Sequence, residues 1–269
     1  MSQPSGYEVW ILSIGNELLI GRTVNTNLTW LGKILTHLGY NVRRGLILSD
    51  DIQDIEWGFR TALNSKATVI ISTGGLGPTF DDKTVEGLAR ALNRKLVIDQ
   101  GVLNKLKEKY RKINLPITPE REKMAKIPED SIPLDNPVGM APGIYIKTND
   151  KHIFVLPGVP NEMKAIFETH VEKILKKIGP RIYFFEKTFT ATGVPESEIA
   201  PITKKLVKQY PNIYIKSHPM GVETKGPVIS FHITASSKSN PEVEKVLDNV
   251  YRKLIIELKK MGAEIKEEN

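Results

Sequence analysis

The stretch that decides the fold reads ATVIISTGGLGPTFDDKT and covers residues 67–84. Its first part, Ala67–Ser72, is rich in β-branched residues and predicts a buried central strand of a parallel sheet. Three glycines follow within four residues, and the pattern after them predicts a helix over Asp81–Leu92. A strand, a glycine-rich loop and a helix in this order are typical of a ligand-binding loop at the carboxyl end of a strand in an α/β sheet.

Strands and helices alternate on both sides of this stretch. Upstream, apolar patterns predict a strand, a helix, a second strand and a second helix, at residues 8–14, 25–38, 40–48 and 51–63. Downstream, they predict two helices at residues 101–112 and 118–126 and a loop at 127–143. A hairpin with a turn at Asn149-Asp150 follows at 143–156, and a long helix at 160–178. This alternation predicts an α/β domain with a mainly parallel sheet over residues 1–178.

A smaller unit follows Gly179-Pro180, where we place the domain boundary. Residues 179–269 read as strand, helix, two strands and helix, which predicts a small α/β domain. The chain of 269 residues is long enough for these two domains.

Composition excludes several classes of protein. The absence of cysteine excludes disulfides and thiolate metal sites. No apolar run reaches the roughly 18 residues of a membrane span, and the polar stretch Met1–Tyr7 does not resemble a signal peptide, so we expect a cytoplasmic protein. The net charge is +7, but 28 of the 38 basic residues are lysines mixed with glutamates, which favours a solvated surface over a nucleic-acid face.

The glycine-rich loop is the first candidate site. Its glycines let backbone N–H groups approach a ligand, and the following helix N-terminus favours an anion. Asp81 and Asp82 would repel a phosphate unless one of them holds a divalent cation such as Mg²⁺, while the other caps the helix. The predicted ligand-binding residues of this loop are Thr73, Gly74, Gly75, Gly77, Pro78, Thr79 and Asp81.

Three other groups of residues are candidates. Glu17 and Asn27 follow the first strand, and Asp50 follows the second, although capping by Asn25, Thr26 or Asp51 also accounts for part of these clusters. Two rigid loops, NPVGMAPG at 136–143 and PGVPNEM at 157–163, present backbone groups to a ligand. Their candidate residues are Asn136, Gly139, Pro157, Gly158 and Glu162.

Five ordered motifs resemble the competence/damage-inducible CinA family, whose first domain is of the molybdopterin-binding type shared with molybdenum-cofactor biosynthesis proteins. They are GNELL from residue 15, NTN from 25, TGGLGPTFDD from 73, NPVGMAPG from 136 and PGVPNEM from 157. The resemblance implies a three-layer molybdopterin-binding-type domain over residues 1–178. Through TGVPESEI at 192–199 it also implies a KH-type domain over 179–269. No segment of the sequence corresponds to the C-terminal amidase domain of many bacterial CinA proteins, so deamidase activity is not expected.

The resemblance further implies a metal-dependent pyrophosphatase acting on ADP-ribose or a related dinucleotide such as FAD. Asp82, Asp50 and Glu17 are then the catalytic carboxylates. Asp82 and Asp50 are the expected ligands of Mg, Mn or Co, and a homo-oligomer, dimer or trimer, is expected.

Two other functions stay open. One is a molybdopterin-binding or adenylyl-transfer protein of molybdenum-cofactor biosynthesis. The other is an RNA-binding module. The second domain lacks the Gly-Xaa-Xaa-Gly loop that clamps nucleic acid, and this absence argues against RNA binding.

Overall fold

The computed structural model describes residues 7–180, 183–223, 226–237 and 242–267, and these form two compact units. The first unit comprises Tyr40–Gly179 and the preceding segment up to Thr36. The second begins at Pro180 and includes the short segment His37–Gly39.

The first unit alternates strands and helices. Its strands are β1 Glu8–Ile14, β2 Asn41–Leu48, β3 Val69–Thr73, β4 Leu96–Ile98, β5 Lys126–Pro128, β6 Ile132–Leu134, β7 Gly143–Thr148 and β8 Lys151–Leu156. Its helices are α1 Asn16–Leu19, α2 Thr26–His37, α3 Ile52–Leu63, α4 Thr84–Leu92, α5 Gln100–Lys112, α6 Pro119–Glu122, α7 Pro160–Ile166 and α8 Glu172–Ile178.

Six of these strands form one sheet in the order β2-β1-β3-β8-β7-β6. Strands β1, β2, β3 and β8 run parallel, and β7 pairs antiparallel with β8. The predicted α/β fold with a mainly parallel sheet is confirmed. Because parallel strands end at the same edge, the loops after β1, β2, β3 and β8 all emerge there, which positions the candidate site.

The sheet is covered on both faces. Trp10, Leu12 and Ile14 of β1 belong to the same buried cluster as Phe59 of α3 and Leu88 of α4. Since neighbouring side chains on a strand point to opposite faces, the equally buried Val9 and Ile11 face the other side. Burial on both faces explains why β1 and β3 read as continuous apolar runs.

The structure corrects the bounds of two predicted helices and adds a local detail to a third. The helix predicted over 118–126 is only α6 followed by a 3-10 turn, Lys123–Ala125, because residues 126–128 pair with β4 as strand β5. The helix predicted from Asp81 begins three residues later, at Thr84. The predicted helix over 160–178 is continuous but contains a π-helical turn, Phe167–Val171, between α7 and α8.

The second unit has its own antiparallel sheet. Its elements are β9 Tyr183–Thr192, α9 Glu196–Gln209, β10 Ile213–Glu223, β11 Gly226–Ser237, α10 Val243–Lys260 and β12 Glu264–Glu267, with strand order β10-β11-β9-β12. The predicted order of strands and helices is present, and β12 is an element that the sequence pattern did not indicate. No helix in the described ranges of either unit is long and apolar enough to cross a membrane.

Candidate functional site

The glycine-rich loop follows β3 and packs against the ends of two neighbouring strands. Gly74 has a φ of 102° and Gly75 a φ of 66°, a region that glycine adopts without strain. A Cβ on Gly74 would lie 2.1 Å from the carbonyl oxygen of Ile14, and the Gly74 N–H donates to Leu156 O at 3.0 Å. The chain at Gly74 therefore passes too close to β1 for any side chain.

Thr84 anchors the other end of this loop. Its hydroxyl, fully buried, donates to Gly74 O at 2.8 Å, and its N–H donates to Gly75 O at 3.3 Å. A Cβ on Gly75 would lie 2.1 Å from this hydroxyl. Sequence reasoning gave Thr84 no role, although a threonine at the start of a helix beside a glycine-rich turn was a usable signal.

The two aspartates do not cap α4. The N-cap residue is Lys83, with no side-chain hydrogen bond to the helix. Instead Asp82 Oδ2 accepts hydrogen bonds from the Thr79 N–H at 2.9 Å and from its hydroxyl at 2.5 Å. The same hydroxyl lies 2.5 Å from Asp81 Oδ1 and holds the pKa of Asp81 below its usual range. Both carboxylates thus shape the turn at Thr79.

A cavity of about 230 Å³ lies beside this loop. Gly75, Leu76 and Gly77 form one wall, and the other walls are largely apolar with charged side chains among them. The remaining lining residues are Asp82, Val85, Glu86, Leu96, Lys123, Met124, Lys126, Pro142 and Ile144. Within the part of the chain that the structure describes, the N–H groups of Gly75, Leu76 and Gly77 donate to no protein acceptor. The cavity is therefore lined in part by a segment whose backbone N–H groups have no protein acceptor, next to largely apolar side chains.

Lys123 is a cavity residue that no motif indicated. Its ammonium donates to Thr79 O at 2.6 Å, so it joins the 3-10 turn to the glycine-rich loop. Burial lowers the pKa of Lys123, while the charges of Asp82, Asp81 and Glu86 act in the opposite direction. The cation is thus half-buried among carboxylates.

Glu17 and Asp50 follow β1 and β2, at the same edge of the sheet as the end of β3. A Cβ on Gly15 would lie 2.5 Å from Glu17 Oε1, so this carboxylate folds back over the strand end. Asp50 Oδ2 accepts from the Asn16 N–H at 2.8 Å. Asn16, to which sequence reasoning gave no role, holds Asp50 in place.

Asn27 adjoins the same edge through the loop after β8. Its Nδ2 donates to Gly158 O at 2.8 Å, and a Cβ on Gly158 would lie 3.3 Å from Gly74 Cα. The Oδ1 of Asn27 is buried and has no partner among the described residues. A buried polar atom left unpaired in this way is expected to bind water or a ligand.

The loop at 136–143 is held together internally. Asn136 is 1% exposed, and its Nδ2 donates to Ala141 O at 2.8 Å and to Glu162 Oε2 at 2.6 Å. Its Oδ1 accepts from the N–H groups of Val138 and Gly139. These four bonds use the full hydrogen-bonding capacity of the Asn136 side chain, which binds Glu162 and leaves no polar atom of Asn136 free for a ligand.

The predicted site residues thus fall into three groups around one edge of the sheet. Thr73–Asp82 and the cavity form the first group. The second group consists of Glu17, Asn27, Asp50 and Gly158, which lie in the segments that follow β1, β2 and β8, and the third consists of Asn136, Gly139 and Glu162. Asp50 and Asp82 follow strands that are separated by β1. In the described ranges, no three His, Cys, Asp or Glu side chains are placed to share a metal ion. A Mg²⁺ ion needs only one or two carboxylates besides phosphate and water, so the predicted metal site stays a prediction.

Residues 10–177 match the protein family described as probable molybdopterin binding domain. The chain is also similar over its length to archaeal proteins. A protein from Pyrobaculum arsenaticum is 49% identical, with 95% of this chain and 97% of the relative covered. One from Sulfurisphaera tokodaii is 45% identical, with 96% and 97% covered.

A solved structure is similar to about two-thirds of the chain. It is the protein CinA with unknown function from Thermoplasma acidophilum, with a TM-score of 0.60 and 46% sequence identity. The likeness covers 64% of this chain and 99% of that one.

Proposed function

The chain belongs to the family of probable molybdopterin-binding domains and is CinA-like. From this premise we propose that the glycine-rich loop binds a pterin that carries a phosphate. One observation carries the proposal: the cavity joins free backbone donors at Gly75–Gly77 to an apolar slot. Such a ligand has an anionic end and a flat heterocyclic end, and the cavity has a surface suited to each.

The anionic end fits the loop. Phosphate oxygens would pair the backbone N–H groups that find no protein acceptor, and α4 begins at Thr84, whose N–H donates to Gly75 O. Because Gly75 and Gly77 carry no side chain, the phosphate can approach the backbone closely.

The heterocyclic end fits the apolar walls. Leu76, Val85, Met124 and Ile144 supply apolar surface, which favours a flat ring. At about 230 Å³ the cavity is smaller than the roughly 300–1,000 Å³ of pockets for drug-sized ligands. It therefore suits one ring system with part of its substituent better than a whole dinucleotide such as FAD.

The test is to measure by titration calorimetry how tightly the protein binds neopterin monophosphate, neopterin, AMP, ADP-ribose and FAD. Strand β4 offers a matched pair of variants, because Leu96 lines the cavity and Val97 does not, while both are similarly exposed. We expect neopterin monophosphate to bind more tightly than neopterin, Leu96→Trp to weaken binding at least tenfold, and Val97→Trp to leave it within twofold. The proposal fails if neither pterin binds, or if Leu96→Trp has no effect.

Hydrolysis of a nucleotide diphosphate linkage is a second candidate, supported by the position of Glu17 and Asp50. These carboxylates follow β1 and β2, whose carboxyl ends lie at the same edge of the sheet as the end of β3 and the glycine-rich loop. They could hold a divalent ion, with Asp82 at the other end of the loop, and such an ion would neutralise the phosphates. Release of AMP from ADP-ribose or FAD with Mg²⁺, Mn²⁺ or Co²⁺, lost in Glu17→Gln and Asp50→Asn, would establish this function. An adenylyl-transfer activity would instead consume ATP in the presence of the pterin.

Two further expectations stay predictions. The KH-type identity of the second unit rests on one short motif, and RNA binding by this unit is not expected because it lacks the Gly-Xaa-Xaa-Gly loop. A homo-oligomer, dimer or trimer, is also proposed, and light scattering would measure it.

A further inference from the structure

Lys123 is the one cation that bridges the cavity and the glycine-rich loop through a hydrogen bond in the described ranges. We infer that Lys123 binds the anionic group of the ligand and provides the positive charge that lets a phosphate lie beside Asp82. The inference rests on the proposed function for the identity of the ligand, but it concerns any phosphate that enters this cavity.

The position of Lys123 is fixed by its neighbours in sequence. Met124 and Ala125 are buried in the core of the first unit, which anchors the 3-10 turn that carries Lys123. From this anchor the side chain reaches the loop and donates to Thr79 O at 2.6 Å. The ammonium is therefore held in place before any ligand arrives, which lowers the entropic cost of binding.

Charge around the cavity explains why such a cation is needed. The carboxylates of Asp81, Asp82 and Glu86 all act electrostatically on Lys123, and Lys83 is the positive group that acts on it. A phosphate at the N–H groups of Gly75–Gly77 would be repelled by these carboxylates. Of the two lysines that line the cavity, Lys126 is exposed and Lys123 is half-buried, so Lys123 interacts more strongly with an anion.

The hydrogen-bonding capacity of Lys123 allows both contacts at once. An ammonium group has three protons, and Thr79 O is the acceptor of one. The other protons can reach a phosphate oxygen while the bond to the loop persists. We therefore expect this group to bind an anion without a divalent metal.

The experiment is calorimetric titration with inorganic pyrophosphate in EDTA at low salt, because this probe does not depend on the organic part of the ligand. The variants are Lys123→Gln, Lys123→Arg and, as a charge-matched control outside the cavity, Lys95→Gln. Loss of a charge-assisted hydrogen bond predicts at least tenfold weaker binding for Lys123→Gln. We expect Lys123→Arg to stay within threefold of the wild type and Lys95→Gln within twofold.

A labelling experiment on the wild-type protein gives the same information without a mutation. Acetylation by acetic anhydride, measured by peptide mass spectrometry, should slow at Lys123 when pyrophosphate is added and stay unchanged at Lys95.

The inference is overturned if Lys123 is not protected, if Lys123→Gln binds like Lys95→Gln, or if the wild type binds pyrophosphate only with a divalent metal or not at all. If pyrophosphate binding requires Lys123 but no pterin binds, the proposed function fails and this inference stands. If neopterin monophosphate binds equally to wild type and Lys123→Gln, the inference fails and the proposed function stands.

Discussion

The hydroxyl of Thr84 donates a hydrogen bond of 2.8 Å to the carbonyl oxygen of Gly74, and both groups are buried. This bond joins the first turn of α4 to the residue at which the chain leaves β3. The shape of the glycine-rich loop therefore depends on a residue beyond the loop itself.

Replacing Thr84 by valine should destabilise the first unit. Valine has nearly the same shape but leaves Gly74 O without its donor, which costs about 1–3 kcal/mol. All three tryptophans, Trp10, Trp30 and Trp57, lie in the first unit, so the midpoint of urea unfolding by tryptophan fluorescence measures the effect. Thr84→Ser keeps the hydroxyl and should recover most of the loss; equal midpoints for wild type and Thr84→Val would contradict the role.

Asp82→Asn distinguishes the two candidate functions. If the phosphate binds through backbone N–H groups and Lys123, removal of a nearby negative charge should strengthen binding of neopterin monophosphate in EDTA by about fivefold, from about 1 kcal/mol of repulsion. If a metal ion held by Asp82 bridges to the phosphate, the same change should lower Mg²⁺-dependent AMP release from ADP-ribose by about a thousandfold. Asparagine can still accept from the Thr79 N–H, so a melting temperature close to that of the wild type is the control.

Asn136→Ala tests the internal hydrogen bonds of the 136–143 loop. Alanine leaves Glu162 and Ala141 O without their donor and the N–H groups of Val138 and Gly139 without their acceptor. We expect a loss of about 2–4 kcal/mol in the unfolding free energy of the first unit. The neighbouring Asp135→Ala breaks only an exposed ion pair with Lys105 and should cost less than about 1 kcal/mol. Similar losses for the two variants would argue against a structural role for Asn136.

His152 should make the first unit less stable in mild acid. Burial, with a smaller contribution from Lys147, lowers the pKa of His152 below its ordinary value of 6.5. The neutral ring is therefore favoured in the folded state. Its contribution to stability is complete above about pH 6.5 and is lost as the pH falls through the folded pKa.

The measurement is the melting temperature between pH 7.5 and 5.5, compared for wild type and His152→Gln. The wild type should lose more stability over this range than the variant, which has no titrating group at this position. Parallel curves would show that His152 does not contribute to the acid sensitivity.

Much of the first unit could be predicted from local patterns. The strands β1 and β3 were indicated by continuous apolar runs, the strand β2 was also predicted, and the hairpin of β7 and β8 was indicated by its Asn149-Asp150 turn, where Asn149 has a φ of 49°. The short strands β4, β5 and β6 were missed, because three-residue segments contain too little periodicity and form only when a partner strand is present.

The sequence by itself determined where the chain must turn and which strand ends carry the candidate loops. Glycine at 74 and 75 and the spacing of apolar side chains act through the backbone and through near neighbours, so a one-dimensional pattern records them. Only the tertiary structure decided that Lys123, 44 residues from Thr79, donates to its carbonyl oxygen, and that Asn136 binds Glu162. Such contacts depend on how distant elements pack, and no local periodicity encodes which polar group will meet which partner.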